Sequence, residues 1–429
     1  MDNVSDNGLK LLGTLIRYHR KERGLSLRQL AKISNMSHTL ISTIETGKVT
    51  PNRQTLKELF KVLEIDFYDS PSLQSEFKTH YNQLYHALLS YEFDKAQDIY
   101  MKLFIREEEY QNSLMIVEYN LIKYLYLVMP HEHAIDYDPK LATLESIYDF
   151  LTMEQKQMLL FVKGINYVNN RQFISAHDCL LKATKMGDSS LDPFINVFLT
   201  YVHVNRYYFM DAIELGRKTI LDLEKSMNYK WAMHIRLIIG KAYMLVRRFD
   251  GAHALFDQVI LFSKQFGIDS LIDITHLYKA ETYHLSGDLK RAKEHIDKVK
   301  EPSLYYYYSF CFIYGQLGEI EALKSIFLKA KEMIGFDHSY RSRLILEVLS
   351  QVYITNEKNS KKYEKNLQEL LDIAIRGDQL ESVERIGDLL IDYYRNKHQY
   401  KKAFEYTNLA YKIRRYDTNS VYKTEKRVV

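Results

Sequence analysis

Gly24-Leu25-Ser26-Leu27-Arg28-Gln29-Leu30-Ala31, then after five residues Ser37-His38-Thr39-Leu40-Ile41-Ser42-Thr43-Ile44-Glu45-Thr46-Gly47-Lys48 and Thr50-Pro51, decides how the N-terminal end is read. Ser26 and Gln29 have the spacing of a capping box, which predicts a helix from Leu27 to about Ser34. Asn35-Met36 marks a tight turn. Ser37 caps a third helix over His38 to Thr46, and Gly47 stops it. Thr50-Pro51 reads as an N-cap followed by Pro at the first helical position, opening a fourth helix through Leu63. Upstream, Leu9 to Arg23 is amphipathic and ends at Gly24. Leu12, Leu15, Ile16 and His19 lie on one face, and Arg17, Arg20 and Lys21 on another.

Two short helices joined by a turn of three or four residues form a helix-turn-helix. These residues and their spacing resemble the phage-repressor (XRE/Cro) type helix-turn-helix family, over about residues 9–68. The resemblance implies a five-helix, lambda-repressor-like DNA-binding domain within residues 1–70. It places Ala31 tightly against the second helix of the pair, and Ile33, Met36, Ile41 and Ile44 in the core. Carried onto this chain, the base readers fall on His38, Thr39, Ser42 and Thr43, with Ser37 opening their helix at the DNA surface. Leu27 stands where the family usually has Gln, so a phosphate contact there passes to Arg28 or Gln29. Elementary chemistry points the same way. A major groove admits one helix, whose short N-terminal side chains reach base edges. Lys, Arg and helix N-termini hold phosphates. The expected phosphate contacts are Arg17, Arg20, Arg28, Lys48 and Arg53.

The charge distribution agrees. The 429 residues carry a formal net charge of only +4, but residues 9–62 hold eleven Lys/Arg against three acids, a local +8. A basic head attracts polyanions, and the slightly acidic remainder does not. With 16 Gly and 6 Pro, breakers make up about 5% of the chain, against roughly 12% in average proteins. That argues for long helices with short connections and against a sandwich or a disordered chain. The two cysteines, Cys179 and Cys311, cannot build a disulfide framework, so a reducing cytoplasm is expected. No apolar run reaches 18 residues, and no membrane span is expected.

From Ser72 onward no strand alternation is evident, but a repeat is. Gly164, Tyr167, Ala176, Leu180 and Ala183 match the tetratricopeptide pattern of small, aromatic, Ala, large and small positions. Gly240, Tyr243, Ala252 and Phe256 repeat it, as do Ala280, Tyr283, Ala292 and Ile296, and near the end Tyr394, Ala403 and Ala410. Weaker copies centre on Ala96, Ala212 and Ala322. Allowing for two degenerate copies, about nine helical hairpins are expected within residues 72–415, followed by a basic tail over 416–429. Hairpins of this kind bury their faces only against neighbours, which predicts an all-α chain with a right-handed TPR α-solenoid. Residues 248–251, 286–289 and 316–319 read as turns within repeats, and Phe67 to Ser70, with Pro71, as the hinge between head and body.

The inner helices offer Asn169, Tyr201, Asn205, His234, Lys241, Glu281 and His284 to the groove. Asn169 and Asn205 share a repeat position. An amide presents donor and acceptor together and suits the backbone of an extended peptide, and Lys241 suits a terminal carboxylate. His131-Glu132-His133 with Asp136 reads as surface loop rather than metal site, and His177 and Cys179 lack further ligands. No phosphate-cradling Gly-rich loop or nucleophile elbow is found. No cofactor or catalytic residue is therefore expected.

A DNA-reading head on a tetratricopeptide solenoid resembles the peptide-responsive regulators of Gram-positive bacteria (the Rap, Rgg, NprR, PlcR and PrgX group), and the body length is NprR-like. That resemblance implies a homodimer on a palindromic operator, with a short signalling peptide in the groove. Two other readings stay open: a solenoid that binds a protein partner, and a Rap-like protein that binds a response regulator and removes its phosphoryl group.

Overall fold

The computed structural model describes residues 6–129, 139–187, 190–300, 304–336, 340–376 and 380–418; the His131–His133 cluster with Asp136 and the end of the tail lie outside them. Every element among the described residues is helical, and there is no strand. Four helices precede Pro71: α1 (Asp6–Glu22), α2 (Leu27–Ile33), α3 (His38–Glu45) and α4 (Arg53–Val62). The fifth in chain order, α5 (Pro71–Leu89), packs on α6 (Phe93–Ile105) as an antiparallel pair. Then come α7 (Glu107–Gln111), α8 (Ile116–Val128), α9 (Pro139–Ser146) and a single 3-10 turn, Tyr148–Phe150. The remaining helices are paired: α10 (Met153–Asn169) with α11 (Phe173–Ala183), α12 (Asp192–Asn205) with α13 (Phe209–Lys225), and α14 (Tyr229–Leu245) with α15 (Phe249–Phe266). They continue as α16 (Asp269–Leu285) with α17 (Leu289–Ile296), α18 (Leu304–Leu317) with α19 (Ile320–Phe336), α20 (Tyr340–Tyr353) with α21 (Lys361–Arg376), and α22 (Leu380–Asn396) with α23 (Tyr400–Thr418).

Seven of these pairs turn in the same way. The next-to-last residue before the second helix, or the last but one equivalent, takes left-handed backbone: Tyr91, Arg171, Tyr207, Arg247, Gly287, Gly318 and His398. The amide that follows it reaches back five residues to the first helix, as in Arg248 N to Tyr243 O (2.8 Å) and Asp288 N to Tyr283 O (2.8 Å). This arrangement satisfies helix-end carbonyls that would otherwise be orphaned.

The repeat anchors have a steric basis. A Cβ added to Gly164 would come within 2.5 Å of Leu180 Cδ2, and one on Gly240 would overlap the Phe256 ring. Small residues therefore let the paired helices approach until the large residue fills the gap. Ala176, Ala212, Ala252, Ala280 and Ala292 are all fully buried at the crossings.

Packing divides the chain into two compact units, one of Met1–Asn170 with Asp178–Ile195, the other of Arg171–His177 with Asn196–Val429. Within the first unit, α1 packs on α9 as well as on α3.

Candidate nucleic-acid interface and groove-lining residues

α1 is the spine of the N-terminal helices. Leu15, Ile16 and Tyr18 are fully buried, and Leu12 and His19 nearly so. At Gly13 a Cβ would meet the Ile44 carbonyl oxygen at 2.5 Å, so only glycine lets the end of α3 lie this close. The expected capping box is formed: Ser26 Oγ accepts from Gln29 N (3.2 Å) and Gln29 Oε1 accepts from Ser26 N (2.8 Å). Ser37 Oγ accepts from Leu40 N at 3.1 Å and starts α3. α4 begins two residues later than expected: Asn52, not Thr50, is the cap, with its side chain accepting from Thr55 N at 2.8 Å.

Arg17 and Arg20 are not on a solvent face. They are 5% and 4% exposed and converge on Glu45, itself 2% exposed. Arg17 Nε donates to Glu45 Oε2 (3.0 Å), and Arg20 donates to both carboxylate oxygens (2.6 and 2.8 Å) and to the Leu25 carbonyl (2.7 Å). Burial pushes the Arg17 guanidinium below its ordinary value, and the bond to Glu45 pulls it back up. These two arginines are thus withdrawn from the expected phosphate contacts, because α1 is covered on both sides. The signal that could have found this is Glu45, one of only three acids among residues 9–62. Ile33 departs in the opposite sense: expected in the core, it is 51% exposed.

Eight cations of this region remain exposed: Lys10, Lys21, Arg28, Lys32, Lys48, Arg53, Lys57 and Lys61. At the start of α3, the cap Ser37 and then His38 and Thr39 are exposed, while Ser42 and Thr43 are half-buried. Thr43 Oγ1 donates to the Leu40 carbonyl (2.9 Å), which turns it along its own helix. Ser37 spends an acceptor on its cap and keeps its hydroxyl proton for a phosphate or base edge. Gln29 is exposed, with its oxygen held in the capping box and its NH2 directed elsewhere. The arrangement is a helix whose polar N-terminal end faces outward among basic side chains, with its other face sealed by Ile41 and Ile44.

The expected groove residues are distributed over both units. In the first, Asn169 Nδ2 donates to the Val128 carbonyl at 3.1 Å and so helps join α10 to α8. In the second, Asn205 Nδ2 donates to the Tyr201 carbonyl of its own helix (2.8 Å), and Tyr201 meets Phe173 edge-on. The shared repeat position of the two asparagines therefore serves two different local purposes. His234 sits beside Trp231, and burial pushes its imidazole down to about 4. Lys241 is 8% exposed, with its ammonium 5.7 Å from the Tyr278 ring centroid. Glu281 Oε1 accepts from Ser309 Oγ (2.8 Å) and lies 3.9 Å from Arg385. His284 Nε2 lies 2.7 Å from Gln316 Oε1. Sequence reasoning missed the contacts α22 makes: Tyr207 Oη donates to Glu384 Oε2 at 2.8 Å, across 177 residues of chain.

Among the described residues no three or more metal-ligating side chains come together, and none of the helices is long and apolar enough to cross a membrane. Cys179 is half-buried, and burial pushes its thiol up, away from reactivity.

Residues 16–69 match the helix-turn-helix family. The chain is 37% identical over 83 residues to the HTH-type transcriptional regulator PuuR of Escherichia coli, a stretch covering 19% of this chain and 44% of PuuR. The chain thus spans less than half the length of that relative. Over most of its length the fold is similar to that of a Rap protein solved with Competence and Sporulation Factor (TM-score 0.67, 13% identity, 80% of this chain and 99% of that one). It is also similar to NprR solved with its cognate peptide NprX (TM-score 0.61, 16% identity, 79% and 98%). The class is therefore an XRE-type helix-turn-helix at the N-terminus of an all-helical, TPR-like chain. Its structural neighbours are regulators of the Rap and NprR kind.

Proposed function

We propose that the chain is a sequence-specific DNA-binding transcriptional regulator whose TPR body senses a short signalling peptide. The DNA half rests on the start of α3, where the cap Ser37 and then His38 and Thr39 are exposed, and on Arg28, Lys48 and Arg53, which are exposed as well. In this reading His38, Thr39, Ser42 and Thr43 meet base edges, and Arg28, Gln29, Lys48 and Arg53 meet phosphates. The peptide half is supported by the fold shared with NprR, whose solved structure holds a cognate peptide. Tyr201, Asn205, Lys241, Glu281 and His284 are the groove residues carried into this proposal. Asn169, engaged with the Val128 carbonyl in the first unit, and His234, beside Trp231, are not carried further.

The working form is a cytoplasmic homodimer on a palindromic operator, because two heads must meet half-sites a whole number of helical turns apart. A peptide shifts operator affinity only by binding two states of the body unequally. The test is selection of duplexes from a random pool by the full chain, followed by titration of cell-derived short peptides against the selected duplex. A selected duplex with peptide-dependent affinity is the expected result. Affinity indifferent to every peptide rejects the sensing half and leaves the DNA half standing.

A further inference from the structure

α1 faces two ways. Through Arg17 and Arg20 it holds Glu45, the last residue of α3. Through three consecutive side chains it also holds the helical body of the first unit. The Arg17 guanidinium lies 3.1 Å over the centroid of the Phe150 ring. Tyr18 Oη donates to the Lys140 carbonyl at 3.5 Å, and His19 Nε2 lies 3.1 Å from the Gln111 carbonyl. Gln111 in turn exchanges two amide bonds with Asn120 of α8, at 2.8 and 3.2 Å. Even the stretch expected as a hinge is tied: Tyr68 N donates to the Asn112 carbonyl at 3.0 Å.

One guanidinium therefore has two partners, an edge bond to Glu45 and a ring face at Phe150. Buried charged hydrogen bonds depend steeply on geometry, because little water is present to compensate a displacement. We infer that Phe150, a body residue far outside the helix-turn-helix, is a positioning residue for the recognition helix, acting through Arg17 and Glu45. The inference rests on the reading of α3 as a DNA-reading helix. Base readout requires α3 to be correctly placed, whereas attraction to phosphates is long-ranged and tolerant. Disturbing Phe150 therefore lowers discrimination while leaving general DNA affinity in place.

Phe150 is 48% exposed, so its truncation opens no sealed cavity. The experiment compares the full-length wild type with Phe150→Ala and Phe150→Tyr. The probes are the tightest duplex that the wild type selects from a random pool and a scrambled duplex of equal length. Phe150→Ala is expected to weaken the selected duplex roughly fivefold, the size of one partly exposed cation–π contact, and to leave the scrambled duplex unchanged. Phe150→Tyr, which keeps the ring face, restores the wild-type ratio. Hydrogen exchange without DNA is the second readout, and Phe150→Ala is expected to speed exchange of the α3 amides but not those of α5. An unchanged ratio with unchanged α3 exchange overturns the inference alone, and so does an equal loss on both duplexes. Failure of the wild type to select any duplex overturns the DNA-reading function itself.

Discussion

At the start of α3, Ser37, His38 and Thr39 face solvent; on α12, α14 and α16, the polar side chains Asn205, Lys241 and Glu281 are turned to partners within the protein. Both sets sit on helices and both were marked as binding residues by their pattern. The difference lies in what surrounds them. The recognition helix α3 is covered by α1 and α2, close to it in the chain, so which of its faces stays outward follows from nearby sequence. A solenoid helix is covered by whatever the superhelix brings to it, and here Glu281 meets Arg385 and Tyr207 meets Glu384.

The sharpest way to break this comparison is at the charges. Glu45→Ala leaves Arg17 and Arg20 buried without their carboxylate and is expected to cost about 3–5 kcal/mol in denaturant unfolding, whereas Glu281→Gln, on a site bordered by an exposed arginine, costs far less. Similar losses at both would show that the two carboxylates are not differently housed.

Acid separates the units next. Burial pushes His234 and His276 down to about 4 and His203 and His295 to about 3, all in the second unit. Between these values and the ordinary 6.5 the unfolded chain binds more protons than the folded one. Stability from these groups is therefore full above about pH 6.5 and is lost as pH falls toward 4. Thermal melts at pH 7 and pH 5 should show the second unit unfolding earlier in acid. A slope that survives replacing His203, His234, His276 and His295 together by Asn would refute that origin.

Within the head, Thr39→Ala should reduce discrimination between selected and scrambled DNA by about 1–3 kcal/mol, and Arg53→Ala should weaken both duplexes and lower the salt slope by about one phosphate contact. Equal losses on both duplexes from Thr39→Ala would move it out of the base-reading set. The smallest effect is expected at Glu384→Gln. It weakens one bond from Tyr207, worth about 1 kcal/mol, and should speed amide exchange at the end of α12 and in α22 together. Faster exchange in α22 alone would mean that the contact does not couple the two helices.

The capping box, the glycine stops and the Gly164–Leu180 and Gly240–Phe256 anchors were all legible in the sequence. Each is a short-range arrangement in which residue type and spacing leave one steric solution. Arg17 and Arg20 were misplaced because a helical wheel has only two sides, while α1 is enclosed by α3 on one and α9 on the other. Thr50 and Asn52 could each cap α4, and only the backbone path distinguished them.

By itself, the sequence determined an all-helical chain with a basic helix-turn-helix at its start and a repeating hairpin body. Periodicity, caps and breakers act over a few residues and are written there directly. Tertiary structure decided which arginines are buried, that Phe150 touches the head, and that α22 reaches Tyr207 and Glu281. Those contacts join residues from 25 to 177 positions apart. Whether they form depends on the summed packing of every hairpin between them, which no local pattern records.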